Sequence, residues 1–156
     1  MSAYIKFDGV DGESKDSGHD KWSDLLSMSQ GLSQPISGAT GAARRRGNVN
    51  VQDVSIVKLL DKSSPKLAEA VCKGRVFPKV EIDMTATNTD GKRATYYRYE
   101  LKNVLVSSYQ VSGSANDQPV ENVSLNFEEI KVTYTENDNG KKKGNVEYSW
   151  KVEEGS

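Results

Sequence analysis

Val80-Glu81-Ile82-Asp83-Met84-Thr85-Ala86-Thr87 decides the fold. Apolar residues fall at 80, 82, 84 and 86, with polar ones between them. Successive side chains of a strand point to opposite faces, so a two-residue period predicts an amphipathic strand. Asp90-Gly91 follows as a hairpin turn signal. Thr95 to Leu101 then sets Tyr97, Tyr99 and Leu101 opposite Tyr96, Arg98 and Glu100, and Asn103 to Ser112 continues as a further strand. Gly113 to Asn122 is a polar loop. Val123, Leu125 and Phe127 point one way, and Ile130, Val132 and Tyr134 resume on the other parity, which predicts a β-bulge at Glu128-Glu129. A basic turn from Asn137 to Gly144, containing Lys141-Lys142-Lys143, leads into a last strand carrying Val146, Tyr148, Trp150 and Val152.

Upstream, Tyr4 to Phe7 reads as a first strand and Trp22 to Gln30 as a second, joined by a polar, glycine-containing connection. Gln34 to Asn48 is the longest stretch without strand or helix signals, with Pro35, Gly38, Gly41 and Gly47 around Arg44-Arg45-Arg46. Loops this long in compact domains are functional or mobile. Val49 to Leu60 returns to strand chemistry. Only Ser64 to Gly74 breaks the β pattern. Ser64 is placed as an N-cap, Pro65 suits the first helical turn and Gly74 supplies a left-handed stop, so a helix is expected over 64–73. Leu67, Ala70 and Val71 share a face, and the position of Cys72 on this short helix favours its burial. The sum is an all-β fold, a small two-sheet β-barrel with one flanking α-helix, as one domain over 1–156.

Composition narrows the function. The 156 residues hold 21 basic and 22 acidic side chains, a net charge of −1 that gives no electrostatic reason to expect nucleic acid. No apolar run approaches the length of a membrane-spanning helix, so no membrane insertion is expected. Met1 to Phe7 lacks a basic stretch followed by an apolar one, so no Sec-type signal peptide is expected.

Chemistry is scarce. One His and one Cys cannot form a zinc tetrahedron, and Asp8 to Glu13 lacks the alternation of an EF-hand loop. A nucleophilic triad would have to recruit His19 from a polar loop. Glu128 and Glu129 are adjacent, and on a regular strand would face opposite ways. The glycines at 38, 41 and 47 lack the Gly-Lys-Ser/Thr ending of a phosphate loop. No catalytic residue, metal or cofactor is expected. A well-patterned β protein without convergent chemistry works through its surface, and its strand edges would be paired by copies of itself. Clustered arginines such as Arg44 to Arg46 can bind phosphate or grip carboxylates of a neighbouring subunit, and the plain alternative is a solvated loop.

Several segments resemble the Hcp (haemolysin-coregulated protein) family of the bacterial type VI secretion system. They are Tyr4-Ile5-Lys6-Phe7 with Gly12-Glu13-Ser14-Lys15-Asp16 and His19; Val51 to Ser55; Asp61 to Leu67; Cys72-Lys73-Gly74; Leu101 to Ser108; Glu121 to Phe127; and Val146 to Trp150. They run in order along nearly the whole chain. The resemblance implies a tube subunit that forms homohexameric rings stacked head to tail, built in the cytoplasm inside a sheath on a baseplate and capped by a spike. The tube would be secreted, with small effector proteins held in its lumen. It implies that the loop from Pro35 to Asn48 reaches the next ring, with Ser37, Gly38, Arg44, Arg45, Arg46 and Gly47 as stacking residues, and that Ser29 faces the lumen. Arg44-Arg45-Arg46 departs from the glycine-rich, small-residue loop usual in the family. Carboxylates of the adjacent ring between Asp8 and Asp16 are the expected partners of these arginines. The alternatives are a monomeric β-barrel binding module with an enclosed apolar pocket, and an enzyme with a histidine- or carboxylate-centred site.

Overall fold

The structure, a computed structural model, describes residues 2–37, 45, 46, 49–88, 91, 93–138 and 141–152. The elements in chain order are β1 (Ser2–Phe7), β2 (Ser23–Ser29), β3 (Leu32–Ser33), β4 (Ile36–Ser37), β5 (Arg45–Arg46), β6 (Asn50–Val51), β7 (Val54–Leu59), α1 (Ser64–Lys73), β8 (Val76–Thr87), β9 (Arg93–Ser112), β10 (Val120–Asn126), β11 (Glu129–Asp138) and β12 (Lys141–Lys151). Eight strands form one antiparallel sheet in the order β10-β7-β2-β1-β8-β9-β11-β12. Because β10 also pairs with β9, the first six close into a barrel, while β11 and β12 extend from it as a ribbon. The fold is thus all-β with one short helix.

Alternating strand residues fill the barrel. Ile5 and Phe7 from β1, Val54 and Ile56 from β7, Phe77, Val80 and Ile82 from β8, and Val123 and Leu125 from β10 are all buried. The decisive segment lies in β8, with Val80 and Ile82 inward as its period requires. Its outward Asp83 is nevertheless buried. The reason is the β1–β2 connection, which folds back over this outer face and carries His19 onto Asp83.

Two expected strands are one. Thr95–Leu101 and Asn103–Ser112 belong to the 20-residue β9. Its buried parity changes between Leu101 and Val104 because Asn103 takes a left-handed conformation, φ 53°. Asparagine tolerates that conformation better than most residues. At Glu128-Glu129 the expected bulge is instead a break between β10 and β11, at which the Glu128 N–H donates to the Lys102 carbonyl.

The stretch from 35 to 48 is not structureless. Within it β4 pairs with β5, Ile36 with Arg46 and Ser37 with Arg45, and at its base β3 pairs with β6. The chain leaves the barrel after β2 and returns before β7 as a laddered arm. Gly38, Arg44 and Gly47 lie outside the described residues.

The helix spans 64–73 as expected and stops at Gly74, φ 63°. Two details differ. Its N-cap is Ser63, and the Ser64 hydroxyl instead accepts from the Asp61 N–H at 3.0 Å. Cys72 is exposed. The buried stripe is Ser64, Leu67 and Ala70, and Cys72 sits about 200° around the helix from Ala70 at 3.6 residues per turn.

Candidate assembly surfaces

Ser29 stands on the outer face of the barrel, and cross-strand register surrounds it with its own kind. Ser29 of β2 pairs with Ser55 of β7, Ser55 with Ser124 of β10, and Ser124 with Ser108 of β9. One row along, Ser27 pairs with Val57, Val57 with Asn122, and Asn122 with Gln110. Both rows line a shallow depression of about 540 Å³ that carries no charged side chain. Hydroxyls and amides here offer many hydrogen bonds without a fixed charge. Only Ser29 was picked out from sequence. Its neighbours come from three other strands, and the register that aligns them is a tertiary fact.

The arm starts at the C-terminal end of β2, whereas the β1–β2 connection enters at the N-terminal end. They therefore lie at opposite ends of one barrel strand. Ile36 and Leu32 of the arm are exposed. On the connection, the side chains of Asp8, Asp11 and Glu13 are exposed as well. The backbone binds this connection tightly, with Gly12 N–H to Lys21 carbonyl and Ser14 N–H to Trp22 carbonyl, both 2.7 Å. A side chain on Gly12 would meet the Trp22 backbone at 2.5 Å, so the close approach requires glycine.

His19 anchors the connection. Its Nδ1 is 2.7 Å from Asp16 and its Nε2 is 2.8 Å from Asp83, while its ring stacks on Tyr4 at 4.4 Å. Arg98 donates to both Asp83 oxygens, at 2.6 and 2.7 Å. The arrangement looks like a catalytic relay. However, a carboxylate occupies each ring nitrogen, so neither is left to take a proton from a nucleophile. The cluster works as a clasp of charge-assisted bonds between the connection, β8 and β9.

Sequence reasoning missed a second buried cluster. Lys58 of β7 and Glu121 of β10 are cross-strand partners, and both point into the barrel, fully buried. They form an ion pair. Lys58 also donates to Asp61 at 3.0 Å, and the Tyr109 hydroxyl donates to Glu121 at 2.5 Å. Burial and the neighbouring Glu121 carboxylate raise the Tyr109 pKa, so this phenol stays a donor. Asp61 further accepts from the Ser63 and Ser23 hydroxyls. Burial alone would raise its pKa, but these bonds and the Lys58 charge outweigh it and hold the carboxyl below its ordinary range. Every strong charge has a partner, as a buried pair requires. Among the described residues, no group of His, Cys, Asp and Glu side chains is placed to hold a metal ion.

A closed barrel bearing a laddered arm, an uncharged patch on its outer face and a two-stranded ribbon defines a class, a subunit that works by contact with other chains. Comparison with known proteins gives the family. Residues 4–134 match the family model described as type VI secretion system effector, Hcp. Protein hcp1 of Pseudomonas aeruginosa is 38% identical over 155 residues, 97% of this chain and 95% of that protein. A solved type six secretion system protein superposes with TM-score 0.92 at 30% identity, covering 100% of this chain and 98% of the other. Hcp1 from Salmonella typhimurium superposes with TM-score 0.80 at 22% identity, covering 98% and 95%. The chain belongs to the Hcp family, the secreted tube proteins of type VI secretion systems, which assemble into rings. No helix among the described residues is long and apolar enough to cross a membrane.

Proposed function

We propose that this chain is a one-domain, non-enzymatic tube subunit, whose homohexameric rings stack head to tail through the arm of residues 35–48. Rings would assemble in the cytoplasm against sheath, spike and baseplate proteins and then leave the cell. Ser29 and its row of serines would face the lumen, where small effector proteins are held. The observation that carries this reading is the uncharged row Ser29–Ser55–Ser124–Ser108 across four strands of a closed barrel. A channel wall must touch cargo without trapping it, and neutral hydroxyls do that where fixed charges would grip.

The monomeric binding-module alternative needs an enclosed apolar pocket. The barrel interior is filled instead by Phe7, Phe77, Ile5, Ile56, Leu101 and Leu125. Light scattering on a size-exclusion column, with negative-stain images of the same fraction, tests the reading. Open rings of six times the 17.2 kDa chain support it, and a monodisperse monomer at high concentration overturns it. Stacking has its own test. The basic run Arg44-Arg45-Arg46 and the exposed carboxylates Asp8, Asp11 and Glu13 belong to segments at opposite ends of β2, as head-to-tail contact needs. Arg45→Glu should shorten tubes while leaving rings intact, and unchanged tube length would sink the arginine assignment.

A further inference from the structure

The arm is the continuation of two neighbouring barrel strands, β2 and β7. An extension joined to its body only by its own two strands can pivot at its root. The bonds within the base of the arm do not prevent that. The Gln52 N–H donates to the Gly31 carbonyl at 3.0 Å, the Gln30 side-chain amide donates to the same carbonyl at 3.0 Å, and Leu32 pairs with Val51. These bonds hold one leg of the arm to the other. None of them reaches the other strands of the barrel wall.

Asp53 does reach them. It lies between β6, the last strand of the arm, and β7. Its Oδ2 accepts from the Ser107 hydroxyl at 2.9 Å, and its Oδ1 accepts from the Asn126 side-chain amide at 3.0 Å. Ser107 belongs to β9 and Asn126 ends β10. One carboxylate thus ties the root of the arm to two strands that the arm does not continue. An irregularity of the sheet helps to place the first donor. Ser108 pairs with Ser124 and Val106 with Leu125, which leaves Ser107 as the extra residue of a bulge. Bulges re-aim side chains, and this one offers the Ser107 hydroxyl to Asp53. An aspartate suits the position, because a short carboxylate accepts two donors at once through charge-assisted bonds.

We propose that Asp53 is the brace of the arm, a positioning residue that fixes the direction in which residues 35–48 leave the barrel; the inference rests on the stacking reading above. An arm that samples many directions binds only in the fraction of time it is correctly aimed, and its apparent affinity falls by that fraction. Symmetry repeats the same arm in every subunit of a closed ring, so a loss at one arm is multiplied around the circle. Asp53 is only partly buried, and Ser107 and Asn126 are exposed. Bonds of this kind contribute little to global folding while they control local opening. Two hydrogen bonds at the root of the arm can therefore govern tube growth without governing stability.

The test uses the full chain and measures amide hydrogen exchange by mass spectrometry, with tube length in negative stain. It compares Asp53→Ala, Asp53→Asn, the double change Ser107→Ala, Asn126→Ala, and Arg45→Glu. Asp53→Ala and the double change should each speed exchange in peptides covering 30–37 and 49–53 by about tenfold and shorten tubes. Exchange in β1 and β8 and the ring mass should not change. Asp53→Asn should keep most of the protection and the tube length, because its amide can accept from Asn126 and donate to the Ser107 hydroxyl. Unchanged exchange in the arm, or equal losses in Asp53→Asn and Asp53→Ala, overturns this inference alone. Faster exchange with full-length tubes also overturns it alone where Arg45→Glu does shorten them. If the unaltered chain forms no tubes, or if Arg45→Glu and Asp53→Ala both leave them full-length, the stacking reading falls and this inference with it.

Discussion

The closed barrel and its two appendages, arm and ribbon, solve the same problem in opposite ways. In the barrel every strand has two neighbours, the interior is filled, and even its buried charges are paired. The arm is held by ladders of two residue pairs, and the ribbon ends in two strands with an apolar face in water. The barrel is complete within one chain. The appendages are not, and under the proposed assembly they would be the parts that meet other copies. Stability should therefore respond to barrel changes and assembly to appendage changes.

The sharpest break of that contrast is Phe77→Ala. Phe77 is fully buried, 5.4 Å from the Phe7 ring and covered by the Arg75 guanidinium. Its truncation should cost about 3–5 kcal/mol in denaturant unfolding and remove rings only by unfolding subunits. Glu121→Gln comes next, because it leaves Lys58 charged in the interior with half its compensation. A loss of about 3 kcal/mol is expected by urea titration, and the double change Lys58→Met, Glu121→Leu should recover most of it.

Asp61 gives a smaller, pH-dependent effect. Its folded pKa lies below the ordinary 3.8, so its contribution is complete well above that value and is lost as pH falls through the folded pKa. Melting points of Asp61→Asn and the unaltered chain should run parallel near neutrality and converge below about pH 4. Parallel curves down to the lowest pH would show that Asp61 contributes nothing through its charge. Least for stability, and most for assembly, is Ile36→Ser on the exposed arm. It should shift stability by less than about 0.5 kcal/mol yet alter tube length in negative stain. A large melting shift would erase the proposed division between barrel and appendage.

Local chemistry made much of this legible beforehand. The two-residue period of Val80 to Thr87, the helix from Ser64 to Lys73 and its glycine stop are written in neighbouring residues. What stayed hidden depends on residues far apart. Asp83 looked solvent-facing because the covering His19 lies 64 positions away. Lys58 and Glu121 were not singled out, because each is tolerable inside only opposite the other. Ser29 was singled out through family likeness, but the three serines aligned with it by register were not. The arm's ladders were obscured by proline and glycines that mark loops, and Asn103 disguised one long strand as two.

That long strand has a mechanical consequence. β9 carries 20 residues, switches parity at Asn103, and belongs both to the barrel wall and, through β11, to the ribbon. Antiparallel hydrogen bonds lie perpendicular to their strands. A thrust along the strand direction would load the whole ladder in shear, many bonds sharing the force, whereas a hinge between barrel and ribbon would let them peel one by one. A subunit whose barrel and ribbon share one strand would resist a push along that strand better than one whose two parts met only at a loop.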